Sequence, residues 1–100
     1  MNLNITFRHI ESTDALKDYV QKRLGKIKRH LNRKLVEANA ILGMENRKST
    51  PIHFAEIVLH VNRDTLRSKV ADPDLYKAID EVIDKLERQV KKYKTKLVGR

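Results

Sequence analysis

Lys85, Arg88, Lys92 and Lys96 recur at steps of three and four near the end of the sequence. In a helix that spacing gathers them on one flank, within a sector of about 80°. Asp80, Asp84 and Glu87 gather near the opposite flank, and no carboxylate follows Glu87. A solvated face laced with ion pairs is the plainer reading. Glu81–Lys85, Asp84–Arg88 and Glu87–Lys91 have the spacing for it, each pair contributing roughly a few tenths of a kcal/mol. That reading fails for Lys92 and Lys96, whose neighbours four residues earlier are Arg88 and Lys92. Like charges at that spacing repel, so the end of this helix is poorly arranged for its own stability and suited to an extended polyanion.

A second basic set precedes it. Lys22, Lys26, Arg29 and Arg33 lie opposite the apolar series Leu16, Val20, Leu24, Ile27 and Leu31. Between Asp18 and Glu37 there is no acidic residue, and Arg23, Lys28 and Lys34 add to the positive charge. Gly25 costs this helix up to ~1 kcal/mol relative to alanine. It reads as a tolerated surface glycine, the alternative being close approach of a backbone or a phosphate.

No constellation for catalysis accompanies these cations. His9, His30, His53 and His60 lack metal-ligand spacing, and strand parity puts His53 and His60 on opposite faces. Asp72 and Asp74 are better explained as helix-start residues than as paired carboxylates. There is no glycine-rich phosphate loop and no HExxH or GxSxG sequence. The sequence therefore predicts no enzyme, no catalytic residue, no metal, no cofactor and no small-molecule substrate.

The composition agrees with a polyanionic partner. The net charge is +9 on 100 residues, with 40% apolar and 35% charged residues. Such a balance suits one domain over residues 1–100 that binds nucleic acid or an anionic surface. The absence of cysteine removes disulfides and thiolate metal sites and makes a reducing cytoplasm the expected compartment. No apolar run approaches the ~20 residues that span a bilayer, and the opening residues lack the regions of a signal peptide. Both amphipathic helices need their apolar faces to cover a sheet, which argues against membrane binding.

The elements that must position the cations follow from periodicity. Leu3, Ile5 and Phe7 alternate with polar residues and predict a first strand. Ser12 or Thr13 caps the first helix. Val36, Ala38, Ala40, Leu42 and Met44 mark a second strand, and Glu45 to Pro51 read as a loop, since Pro51 cannot lie in a central ladder. Ala55, Ile57, Leu59 and Val61 mark a third strand, Asn62 to Asp64 a turn, and Leu66, Ser68 and Val70 a fourth strand. The second helix begins with Asp72 as cap and Pro73 at its first position, and buries Leu75, Ile79, Val82, Leu86, Val90, Tyr93 and Leu97, with Ile83 at the margin. The order is β-α-β-β-β-α, an α+β fold. A right-handed crossover makes the first two strands parallel if they pair. Every strand has one apolar face, so both helices cover the same side and leave the other wet. Two neighbouring helices with outward basic stripes would then form one continuous positive surface.

The motifs are also familiar ones. Asp74-Leu-Tyr-Lys-Ala-Ile-Asp80, Lys85-Leu-Glu-Arg-Gln89 and Lys91-Lys-Tyr-Lys94 resemble the signature of the ribosome hibernation promoting factor family, which includes the ribosome-associated inhibitor of translation. Asn4-Ile-Thr, Arg8-His-Ile-Glu and Thr13-Asp-Ala-Leu-Lys-Asp-Tyr-Val20 resemble its opening strand and helix. The resemblance covers essentially the whole chain, and the carboxy-terminal motif is its specific part. It implies a four-stranded sheet with both helices on one face, laid out like a double-stranded-RNA-binding domain. It further implies binding to rRNA of the small ribosomal subunit in the cleft between head and body. There the protein would overlap the mRNA path and the A- and P-site tRNA positions, holding ribosomes idle under stress or starvation. The RNA-binding residues it implies on the last helix are Lys85, Arg88 and Lys92, which Lys96 extends. Lys22, Arg23, Lys26 and Arg29 are assigned on the first helix. Tyr76 either stacks on a base or packs at the helix start. The rival readings are a general RNA-binding module without ribosome selectivity and an interaction domain for an acidic protein.

Overall fold

The computed structural model describes the backbone of residues 2–31 and 35–98 and the side chains of residues 2–31 and 37–94. Arg33 and Lys34 lie outside the described residues, as do the side chains of Val36, Lys96 and Leu97. The elements run β1 (Asn2–Arg8), α1 (Asp14–Leu31), β2 (Leu35–Arg47), β3 (Thr50–Val61), β4 (Asp64–Asp72) and α2 (Leu75–Val98). One sheet takes the strands in the order β1-β2-β3-β4, with β1 parallel to β2 and the other pairs antiparallel. The expected α+β order is therefore the observed one, and α1 is the crossover between the two parallel strands.

The alternating residues of the sheet meet both helices on one side. Ala38, Ala40, Leu42, Ala55, Ile57, Leu59, Val61 and Val70 bury that face under Leu16, Val20, Leu24, Ile27 and Leu31 of α1 and Leu75, Ile79, Val82, Leu86 and Val90 of α2. The two alanines of β2 keep the sheet surface low beneath the helices. Ile83 is fully buried rather than marginal, and Ala78 joins it, so the apolar stripe of α2 is wider than the three-and-four series alone suggests.

Two boundaries differ from the sequence reading. The cap of α2 is Asp74, two residues later than expected. Its Oδ1 accepts the Tyr76 N–H at 2.9 Å and its carbonyl accepts the Ala78 N–H at 3.0 Å. Asp72 instead accepts the Asp74 N–H at 2.9 Å, a local turn that leads the chain past Pro73 into the cap. At the first helix Thr13 is the cap, its Oγ1 accepting the Leu16 N–H at 3.2 Å.

The second difference is the stretch from Glu45 to Pro51, which is strand and turn rather than loop. β2 and β3 pair up to Arg47 and Thr50, around a two-residue turn in which Lys48 and Ser49 have φ of 49° and 68°. Both central residues of such a turn need left-handed backbone, which is why Asn-Gly usually marks it and why this one is hidden in the sequence. Pro51 is tolerated because it sits one pair from the turn and beyond the end of β4, whose ladder starts at His53–Asp72. In a two-residue hairpin the pair after the closing one leaves its N–H groups pointing away from the partner, so the missing proline donor faces an unpaired edge.

The open face of the sheet is wet at Asn4, Thr6 and Arg8 but not throughout. Phe54 and Val58 point to it and are both buried. Phe54 lies between the Lys69 ammonium, 4.7 Å from its ring centroid, and Gly43 on β2. A Cβ on Gly43 would stand 2.5 Å from the Arg8 carbonyl oxygen and 3.0 Å from the Phe54 ring, so only glycine lets β1 close on β2 here.

Candidate nucleic-acid interface

Because β1 and β4 run the same way in the sheet, the helices that follow β1 and β4 also run the same way. α1 and α2 are parallel neighbours, and matching positions face each other along the whole contact. Tyr19, Arg23 and Lys26 on α1 have the same four-and-three spacing as Asp80, Asp84 and Glu87 on α2. The Tyr19 hydroxyl donates to Asp80 Oδ1 at 2.6 Å, and Arg23 Nε lies 3.2 Å from the same oxygen. Arg23 also reaches Asp84 at 3.5 Å, and Lys26 reaches Glu87 at 3.7 Å. The Tyr76 ring meets Tyr19 edge-on at 4.9 Å, so Tyr76 packs against α1 although it remains 42% exposed.

This seam alters the expected geometry of the positive surface. The acidic flank of α2 faces α1, where two of the assigned cations, Arg23 and Lys26, are held in ion pairs. The surface is consequently two basic ridges with a charge-matched seam between them, not one unbroken wall. Helical geometry makes the reason plain, since the carboxylates and the cations of α2 occupy different flanks and only one flank can face α1.

On α1 the outer ridge carries Lys22 and Arg29, both exposed. On α2 it carries Lys85, Arg88 and Lys92, likewise exposed. Lys85 and Lys92 flank Gln89 at i−4 and i+3, and the Gln89 amide donates to the Arg67 carbonyl of β4 at 2.9 Å. The α2 ridge therefore leans toward the β4 edge, away from α1. The side chain of Lys96 lies outside the described residues, and its backbone continues the same helix. Gly25 of α1 has open space where a Cβ would go, which fits its reading as a tolerated glycine.

The seam hydrogen bond leaves an electrostatic trace. The bond to Asp80, with burial, holds the Tyr19 phenol above its ordinary value of 10.0. Burial does the same for Tyr93, with Asp64 nearby adding to it. A phenol kept neutral in the folded state retains its proton when the unfolded chain has lost it. Its contribution to stability is thus complete below pH 10 and is lost as pH rises through the raised value. Urea midpoints measured upward from pH 10 should fall less steeply in Tyr19→Phe than in the wild type; equal slopes would show that the bond carries no such linkage.

Among the described residues no group of three or more His, Asp or Glu side chains is placed to hold a metal ion, and no helix is long and apolar enough to cross a membrane. His53 Nδ1 donates to the Pro73 carbonyl at 2.9 Å and His60 Nδ1 lies 3.4 Å from Thr65 Oγ1, so both are engaged locally.

A mixed four-stranded sheet covered on one face by two parallel, basic-ridged helices is an α+β domain of double-stranded-RNA-binding-domain-like layout. The profile of the family described as "Sigma 54 modulation protein / S30EA ribosomal protein" matches residues 3–98, and the chain belongs to this family. It is 39% identical over 98 residues to the ribosome hibernation promotion factor of Bacillus subtilis, covering 97% of this chain and 50% of that protein. It is 37% identical over 97 residues to the ribosome hibernation promoting factor of Escherichia coli K12, covering 97% of each. The chain thus spans half of one relative and nearly all of another. Among solved structures, the Thermus thermophilus Protein Y N-terminal domain superposes with a TM-score of 0.79 at 35% identity, over 93% of this chain and 99% of that one. A ribosomal subunit interface protein from Coxiella burnetii gives 0.80 over 95% of this chain and 99% of that one, and at 20% identity the likeness is one of fold.

Proposed function

We propose that this chain is a ribosome hibernation factor that docks on the small ribosomal subunit by its helical face. Lys22 and Arg29 on one ridge and Lys85, Arg88 and Lys92 on the other contact rRNA phosphates, with Lys96 extending the second ridge. The bound domain occupies the mRNA and tRNA decoding sites, and it inhibits translation by occupancy rather than by catalysis. The observation that carries this reading is the exposure of Lys22, Arg29, Lys85, Arg88 and Lys92 on the side where both helices lie, in a chain whose relatives are named for ribosome hibernation.

Phosphate contacts hold and orient a protein without reading sequence, so selectivity for the ribosome must come from fit between rigid ridges and a folded RNA cleft. Arg23 and Lys26, assigned to RNA on sequence grounds, contribute less to this reading because carboxylates already hold them. About five phosphate contacts correspond to a log–log dependence of affinity on salt of roughly −3 to −5. Binding to purified small subunits, measured across salt and in the presence of excess bulk tRNA, tests the proposal. Retention on subunits against tRNA with a slope in that range is the expected result. Equal affinity for tRNA and subunits would favour a general RNA-binding module instead.

A further inference from the structure

We propose that Asp80 is a positioning residue. By gripping Tyr19 and Arg23 of α1 it sets the spacing of the two basic ridges, so a carboxylate on an RNA-binding face strengthens binding. The inference rests on the proposed function.

Three observations lead to it. The first is sign: a carboxylate on the helical face repels phosphate, and simple electrostatics would have it lost or moved away. Asp80 instead sits in the seam between the two ridges proposed to meet RNA. The second is geometry. One oxygen, Oδ1, accepts the Tyr19 hydroxyl at 2.6 Å and faces Arg23 Nε at 3.2 Å, so both α1 groups converge on one atom of α2. The third is what surrounds it. The core beneath the seam is built of leucine, isoleucine, valine and alanine side chains, whose burial is favourable without being directional. The short charged bond from Asp80 is directional and fixes register as well as distance. Arg23 to Asp84 and Lys26 to Glu87 repeat the register further along but are longer, at 3.5 and 3.7 Å.

Two measurements test this. In the first, Asp80→Asn, Tyr19→Phe and Glu81→Gln are compared with the wild type for small-subunit affinity, at a temperature where urea melts show each folded. Glu81 is exposed on the outer side of α2, so Glu81→Gln makes the same charge change as Asp80→Asn away from the seam. Glu81→Gln should bind more tightly than the wild type. Asp80→Asn and the charge-neutral Tyr19→Phe should each bind about tenfold more weakly, and the double variant no weaker than Asp80→Asn alone. Tighter binding by Asp80→Asn, or wild-type affinity in both folded seam variants, overturns the inference; the latter would make the seam merely structural.

The second measurement does not depend on ribosomes. The chain lacks cysteine, so spin labels at Gln21→Cys and Glu81→Cys report the separation of the two helices. A narrow distance distribution that broadens with Asp80→Asn is expected, and an unchanged width overturns the inference. If the wild type fails to prefer small subunits, the proposed function falls while the distance measurement still decides what Asp80 does.

Discussion

Replacing Lys85, Arg88 and Lys92 together with Glu should weaken binding to small subunits by about a thousandfold or more. Hydrogen bonds to charged groups contribute roughly 1.5–3 kcal/mol each, and the three new carboxylates add repulsion. The log–log salt slope should become shallower by about three, one for each phosphate no longer neutralised. The fold should barely notice. All three side chains are exposed, and surface replacements of this kind usually change stability by within about 0.5 kcal/mol. Three charge reversals also lower the net charge from +9 to +3, so a control is needed for bulk electrostatics. Lys48 and Arg63, exposed in the two hairpin turns, provide most of it: their replacement by Glu lowers the net charge from +9 to +5 and should cost far less affinity than the loss per charge in the triple variant. A triple variant that unfolds would make the α2 ridge structural. One that folds and still binds tightly would place the interface elsewhere.

Gly43→Ala should destabilise the domain by about 1–3 kcal/mol, and Gly43→Val by more. The added Cβ meets the Arg8 backbone oxygen at 2.5 Å and the Arg8 Cβ at 2.9 Å, so relief requires β1 to move from β2. Phe54 cannot give way freely, because its ring is buried under the Lys69 ammonium. Against a total stability of roughly 5–15 kcal/mol for a domain of this size, the change is large. Urea denaturation followed by far-UV circular dichroism measures it directly. The contrasting substitution is Gly25→Ala, where a Cβ enters open space and up to ~1 kcal/mol of stabilisation is expected. Equal effects at the two glycines would contradict the crowding assigned to Gly43.

The fold was legible in the sequence because each strand and helix is amphipathic with a clean period. Leu3-Ile5-Phe7 and Ala55-Ile57-Leu59-Val61 mark strands at period two, and the leucines of α1 mark a helix. What periodicity could not locate were the ends. Two acidic residues flank Pro73, both able to cap, and only the backbone bonds distinguish Asp74 from Asp72. The Lys48-Ser49 turn carries no glycine or asparagine at the positions where left-handed backbone is needed, so the stretch reads as the middle of a loop. The burial of Phe54 is not legible in its own strand, because the Lys69 side chain that covers its ring belongs to β4.

The candidate site was half legible. The cationic residues were identifiable from their spacing, but their distribution over two ridges required knowing which flank of α2 faces α1. A signal was present: Tyr19, Arg23 and Lys26 match Asp80, Asp84 and Glu87 in spacing, and parallel helices bring such series into register. Tyr19 sits on the border of an apolar stripe, so its spacing alone does not separate a seam residue from a core one.

The parallel pairing of β1 with β2 also constrains the order in which the chain acquires its structure. β2, β3, β4 and α2 are consecutive, joined by short connections, and can condense as a local unit. β1 lies outside that unit and finds its partner only across α1, with Asn2 matched to Glu37. Both β1 and β4 are edge strands, but β4 is tied to β3 by a two-residue turn whereas β1 has only its distant partner, so β1 is expected to be secured last and to open first. Native-state amide exchange would then be fastest at the amino-terminal strand, leaving the two helices clasped through the rest of the sheet while it frays.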